Sequence, residues 1–213
     1  MPPRSFFPEE KDLPTGAGNL RANLITVPSC DKHNNRFSKD DEIAAYTLLL
    51  HHNSNPSAAQ QFKTKAMRAF LRRPDLSRRV ITKAKPVLRR EPGSDLFMPT
   101  LACKIDISLI ERVMERIARG LYFHHFSTLW RTELLLASHG LLMHDSLSQG
   151  GPFVEGTSQL ELHMHEQPAN GENPSIFNYK WLPLKASYIL RMCFYDGLIY
   201  YALPRSATEA RTR

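Results

Sequence analysis

Apolar positions in the first quarter of the chain recur at helical spacing. Their separations of three or four residues match one face of an α-helix, and the positions are Ile43, Tyr46, Thr47 and Leu50. Ser38 followed by Asp41 forms a candidate capping box. The pattern therefore predicts a helix that begins at Ser38 and ends near His52, before the helix-breaking run 53–56.

A second helical pattern combines a small apolar face with a basic one. Its apolar positions are Ala59, Phe62, Ala66, Ala69 and Phe70. The cations between them occupy other faces, so the pattern predicts an amphipathic helix over 57–72. Pro74 is tolerated in the first turn of a helix, and a further short helix is predicted from there through Lys83.

The period then changes to two, which is typical of strands. Residues 87–90 and 97–105 form a predicted hairpin around a turn at 91–94. On the second strand, alternation places four apolar residues on one side: Phe97, Leu101, Cys103 and Ile105.

A strongly amphipathic helix follows the hairpin. Asp106 or Ser108 serves as its N-cap, and Glu111 lies three residues after Ser108. Its core-facing positions are Ile110, Val113, Met114, Ile117 and Leu121.

The last quarter of the chain is strand-like. Strands are predicted near 158–165, 175–182, 187–194 and 197–203, with Asp196-Gly197 as the turn between the last two. Because the strands are clustered after the helices and joined by short connections, the pattern predicts an α+β fold with a helix packed on antiparallel strands.

Composition agrees with one folded body of 213 residues in which 42% are hydrophobic and 23% charged. No apolar run reaches the length of about 20 residues that a membrane helix requires, and the N-terminus lacks the apolar stretch of a secretory signal. Three widely spaced cysteines do not resemble a disulfide framework. A cytoplasmic location with reduced thiols is therefore expected, and no membrane partner.

Positive charge is concentrated in one segment. Residues 63–90 hold eleven Lys or Arg and a single acid, Asp75, while the rest of the chain is net negative. Such density can neutralise phosphates and bind nucleic acid. The simpler alternative, a solvated helix face, stays open.

Cys30 and His33 have the Cys-x2-His spacing of a zinc knuckle, in which a tight turn directs two ligands at one metal. Structural zinc needs four ligands, and the sequence offers no second pair of this kind. The two residues alone leave both possibilities open, a metal site or none.

Residues 23–39 resemble a motif of the HNH endonuclease family. They read Asn23-Leu24-Ile25-Thr26-Val27-Pro28-Ser29-Cys30-x2-His33-Asn34-Asn35-x2-Ser38-Lys39. In cysteine-bearing members of that family, an Asn-Leu pair leads to a second zinc-ligand pair that opens a helix. Residues 2–8 look like the segment that follows the catalytic histidine, and 112–125 resemble a helix of bacterial HNH-like proteins.

The resemblance implies a treble-clef remnant over 1–54 and an α+β body over 55–213. Cys30 and His33 would hold half of a structural zinc, and Asn23 and Asn34 would shape a catalytic site that uses a divalent metal such as magnesium. The first zinc pair and the catalytic histidine have no counterpart, and we expect them upstream of Met1.

Two hypotheses follow for the function. The first is an HNH-like endonuclease, truncated at its N-terminus, that would cleave DNA when complete. The second is a non-catalytic nucleic-acid-binding or protein-binding protein derived from the same scaffold. In both, phosphates would be bound by seven cations: Lys63, Lys65, Arg68, Arg72, Arg73, Arg78 and Arg79.

Overall fold

Two long helices form the centre of the molecule. The computed structural model describes residues 2–13, 18–29, 31–51, 53–90, 94–138 and 151–205, with α1 at Asp31–Leu49 and α5 at Ile107–Phe126. All five predicted core positions of α5 are at most 1% exposed. Its N-cap is Asp106, whose carboxylate accepts a hydrogen bond from the Leu109 N–H at 3.0 Å, so this prediction is confirmed.

Helix α1 begins at Asp31, so the predicted start at Ser38 is wrong. Residues 31–37 contain no glycine, proline or β-branched residue that would end a helix early. A contact with α5 also stabilises the added N-terminal residues of α1, because the guanidinium of Arg116 lies 4.2 Å from the centre of the Phe37 ring.

The basic segment is helical from residue 56 to 72, as predicted. It consists of α2 (Pro56–Gln61), one π-helical turn (Phe62–Ala66) and α3 (Met67–Arg72), and α4 (Pro74–Val80) follows. Asn55 caps α2, accepting a hydrogen bond from the Ala58 N–H at 3.2 Å.

The predicted hairpin is present as β1 (Thr82–Arg90) and β2 (Phe97–Lys104), a separate two-stranded antiparallel sheet. Phe97, Leu101 and Cys103 do share one side, but Phe97 and Leu101 are exposed rather than buried. Most of the predicted turn, 91–93, lies outside the described residues.

A second antiparallel sheet contains β3 (Leu134–Ser138), β4 (Phe177–Pro183), β5 (Tyr188–Phe194) and β6 (Leu198–Pro204) in the order β3-β6-β5-β4. It confirms the α+β class and three of the predicted C-terminal strands. The strand predicted over 158–165 is wrong, because Gly151–His165 forms helix α6. Tertiary contacts stabilise this helix: the Lys180 ammonium donates to the carbonyl of Met164 at 2.9 Å, at the helix end.

One hydrophobic core joins the N-terminal segment to the helices and the sheet. Phe6 is fully buried against Phe194, with ring centres 5.6 Å apart. The buried Tyr195 hydroxyl donates to the Phe6 carbonyl. The N-terminal segment is therefore fixed to the C-terminal sheet, and the division at residue 54 stays a prediction.

Two short 3-10 turns, Arg4–Phe6 and Glu10–Asp12, precede α1, and no strand occurs among the described residues before α1. Residues 24–27 are therefore not paired in a sheet. Of the helices that the structure describes, none is both long and apolar enough to cross a membrane.

Candidate nucleic-acid interface and N-terminal cleft

The seven predicted phosphate-binding cations divide into two groups. Three of them are used inside the molecule. The Lys65 ammonium donates to the carbonyls of Ser5 at 2.5 Å and Phe7 at 3.4 Å, and burial lowers the pKa of Lys65 to about 8. This lysine fixes the N-terminal segment to the helical residues 56–72, and its role in phosphate binding stays a prediction.

Arg68 and Arg73 also have internal partners. Arg68 pairs with the buried carboxylate of Asp12 at 2.6 Å, and Arg73 pairs with Glu42 on α1 at 2.9 Å. The hydrogen bond that Arg68 donates to the Asp12 carboxylate raises the pKa of Arg68, so this guanidinium stays charged. Both arginines hold elements together, which was not visible in the sequence because their partners are 31 and 56 residues away.

The remaining four are exposed, and two lysines of β1 continue the series. None of the six forms an ion pair within the described part of the chain. We call this set the basic surface: Lys63, Arg72, Arg78, Arg79, Lys83 and Lys85. Arg78 and Arg79 lie in the last turn of α4, which leads into β1.

A cleft of about 920 Å³ lies beside the N-terminal half of α1. Its walls come from residues 2–5, from residues 23–29 and from facing parts of α1 and α5. Asn23 is among the lining residues, so this predicted site residue does border the cleft.

Local hydrogen bonds explain how Asn23 reaches the cleft. The Asn19 side chain accepts from the Arg21 N–H at 2.9 Å, which forms a turn, and Asn23 adopts a left-handed φ of 53° at its end. Asparagine tolerates this conformation better than most residues do. The Asn173 side chain fixes the turn by donating to the Leu20 carbonyl at 3.0 Å.

The charged groups of the cleft are partly paired. Arg116 of α5 donates to the Asp41 carboxylate of α1 at 2.5 Å while its guanidinium covers the Phe37 ring. Burial raises the pKa of the Asp41 carboxyl, and the hydrogen bond from Arg116 opposes part of that rise. Arg4, also in the lining, is exposed.

Sequence reasoning missed the pair Arg116 and Asp41. A usable signal existed, since Arg112 and Arg116 are one turn apart on α5 and Asp40-Asp41 are adjacent on α1. Arg112 indeed lies 4.0 Å from Asp40. Recognising this match required the knowledge that α1 and α5 are neighbours.

Three predicted site residues cannot be placed. Cys30 lies outside the described residues, and the side chains of His33 and Asn34 do as well, although their backbone belongs to the first turn of α1. Thiolate and imidazole are donors that zinc prefers. Within the described residues, no three His, Cys, Asp or Glu side chains come close enough to hold a metal ion.

Comparison of this chain with known proteins identifies no relative. No protein-family model matches the chain, and neither a curated protein nor a solved structure matches it. The class that can be stated is therefore α+β, with a basic helical surface and an N-terminal cleft.

Proposed function

We propose that this chain binds nucleic acid through the basic surface. The supporting observation is that six cations on consecutive elements remain exposed and unpaired in the described structure, although neighbouring cations of the same segment have internal partners. If the cations of this segment served only folding, the six cations without a described partner would not be needed. Closely spaced exposed cations release counterions when they meet a phosphate backbone.

The charge arrangement favours a polyanion as the partner. Asp75 is the single acid of residues 63–90, and it lies in the first turn of α4, where a helix dipole stabilises negative charge. The opposite end of α4 carries Arg78 and Arg79. The cationic end of this helix therefore points into the region where the hairpin begins.

The first prediction concerns the salt dependence of binding. If all six cations contact phosphates, the logarithm of the association constant should fall against the logarithm of salt concentration with a slope of about −5. Replacing Arg78 and Arg79 by alanine should reduce that slope by about two and weaken binding similarly for unrelated sequences. Fluorescence anisotropy with a labelled 20-base-pair DNA duplex measures both quantities.

Arg131→Ala with Lys185→Ala is the matched control. Both residues are exposed cations, and they lie in loops outside the basic segment. The control should leave affinity and slope unchanged. An equal loss in both double variants would show only a general effect of net charge, and binding that is independent of salt would refute the proposal.

A second candidate function, HNH-type phosphodiester cleavage, is favoured by one observation. Residues 2–5, Asn23 and residues 24–29, which the family resemblance includes in its motif, line the same cleft as Phe37 and Ser38 of α1. Cys30 and His33 border this region in the sequence. When bound, a divalent metal would stabilise the charge that develops on the phosphate.

Zinc uptake tests this second candidate. With only one of the two ligand pairs, the wild-type chain should bind zinc weakly in equilibrium dialysis, and Cys30→Ser and His33→Ala should each abolish this uptake because either change removes a ligand. Cys103→Ser is the control, since Cys103 is a free thiol on β2. Uptake that is unchanged in the Cys30 and His33 variants would contradict the predicted zinc knuckle.

A further inference from the structure

The hairpin formed by β1 and β2 exposes an apolar face that no described part of the chain covers. The strand register places Pro86 opposite Leu101, Leu88 opposite Pro99 and Arg90 opposite Phe97. Residues directly opposite each other share a face of the sheet. The apolar face therefore consists of Pro86, Leu88, Phe97, Pro99 and Leu101.

The exposure of this face is high. Leu88 is 69% exposed, Leu101 62% and Phe97 59%. The opposite face is exposed as well, at Met98 (56%) and Val87 (39%), although on it Arg89 donates to the Asn53 side chain at 3.4 Å and Ala102 is half-buried. A contiguous apolar patch of this kind on a soluble surface usually marks an interaction site.

The hairpin as a whole is cationic, with Arg90 on the apolar face opposite Phe97 and with Lys85 and Arg89 on the other face. The hairpin carries Lys83, Lys85, Arg89, Arg90 and Lys104, against the acids Glu91 and Asp95. Asp95 already pairs with Arg90. The partner of this face therefore has to accept apolar side chains and also bring negative charge.

A second copy of the chain fits these observations poorly. Two hairpins packed face to face would bring two cationic ribbons together. Strands of nine and eight residues cover roughly 30 Å by 10 Å. The resulting area of roughly 300 Å² per copy is well below the roughly 800 Å² per partner of a stable interface.

An anionic lipid surface also fits poorly. Each strand has a partner on one edge and none on the other within the described structure. Backbone groups on such free edges are costly to place in hydrocarbon, where water cannot satisfy them. A hydrated groove with polar walls imposes no such cost.

We infer that the hairpin enters the major groove of duplex DNA and that its apolar face contacts thymine methyl groups. This inference rests on the proposed nucleic-acid binding and extends it to the form of nucleic acid. A two-stranded ribbon fits the major groove of B-DNA, which is about 12 Å wide, and the thymine methyl offers an apolar contact there. The groove of A-form RNA is too narrow and deep for side chains to read.

The test combines a change in the protein with a change in the DNA. Leu88→Ser with Phe97→Ser should raise Kd for an A·T-rich duplex about tenfold, since burial of roughly 55 Å² of apolar surface suffices for this change. The salt slope should stay the same because the phosphate contacts are intact. Leu162→Ser is the control, since Leu162 is 75% exposed on α6.

Replacing thymine by uracil in the same duplex removes the methyl groups and leaves the protein unaltered. This substitution should weaken binding of the wild type severalfold and should not affect the Leu88 and Phe97 double variant. An RNA duplex of the same sequence should bind wild type and double variant equally. The comparison of thymine and uracil duplexes with the wild type does not depend on whether the variant folds normally.

Several outcomes would overturn the inference. The inference fails if the double variant binds DNA with an unchanged Kd, or if the wild type binds thymine and uracil duplexes equally. It also fails if the double variant loses binding to phosphatidylserine vesicles instead of DNA, or loses a dimer that the wild type shows in sedimentation. The failure of the proposed function itself would look different, because wild-type binding to DNA would then be absent or independent of salt.

Discussion

Gly197→Ala is expected to destabilise the protein by about 3 kcal/mol, because a side chain at this position has no space. A Cβ atom at residue 197 would overlap the carbonyl of Asn53 and lie 2.7 Å from the backbone nitrogen of Ser54. These are backbone atoms, which cannot move away as the end of a flexible side chain could. Urea denaturation followed by circular dichroism measures the loss.

The cost is high because the two chain segments are also joined by hydrogen bonds. The Asn55 N–H donates to the Tyr195 carbonyl at 2.8 Å, and the Asn55 side chain donates to Asp196 at 2.7 Å and to the Ser175 carbonyl at 2.6 Å. Separating the segments enough to accommodate a methyl group would lengthen these bonds. The same asparagine also caps α2, so the strain would extend to the helical layer.

Gly156→Ala is the matched control. Gly156 is exposed on α6, and nothing lies within 4 Å of a Cβ built there. Alanine has the higher helix propensity, so this variant should be unchanged or more stable by up to about 1 kcal/mol. Equal destabilisation by both substitutions would contradict the packing argument.

The turn at Gly197 illustrates how far the sequence predicts the fold. Asp196-Gly197 correctly indicated a hairpin turn, but the left-handed positions are Tyr195 and Asp196, with φ of 51° and 57°. The glycine is needed for the close approach of Asn53, which lies 144 residues earlier in the sequence. Local propensity identified the turn, and a long-range contact determined why glycine stands there.

Periodicity predicted the elements well where one face of each is buried. The core stripe of α5 and the alternation in β4 are clear because burial repeats with the period of the element. For the segment that forms α6, periodicity predicted the wrong element. Leu160, Leu162 and Met164 alternate like a strand, but Leu162 is 75% exposed and Met164 fully buried on a helix.

The helix also changes the arrangement of two histidines. On a strand, His163 and His165 would point the same way, whereas two residues apart on a helix they point to nearly opposite sides. The phosphate-binding cations were predicted only in part, because their pairing also depends on contacts between distant segments. Charge density marked the basic segment, but the sequence could not show which cations are paired with Asp12 and Glu42 across the fold.

Glu161 joins α6 to the second sheet through Arg191 and Tyr201, and the pH dependence of this contact can be predicted. Arg191, buried on β5, donates to both of its carboxylate oxygens at 2.7 to 3.0 Å, and the Tyr201 hydroxyl donates to the same carboxylate. Burial alone would raise the pKa of Glu161. The hydrogen bonds from Arg191 and Tyr201 outweigh that effect and lower the pKa below 4.5.

Glu161→Gln should therefore reduce the free energy of unfolding at pH 7 by about 2 kcal/mol, since it leaves the Arg191 charge buried without a counterion while the carboxylate site itself is partly solvated. A carboxyl with a lowered folded pKa contributes stability above its unfolded pKa of 4.5 and loses it as the pH falls further. The difference between wild type and variant should accordingly shrink between pH 4.5 and pH 3. Urea titrations at pH 7 and pH 3 measure it, with Glu166→Gln, at an exposed position just beyond α6, as the control. A difference of the same size at both pH values would mean that the ion pair does not act through its charge.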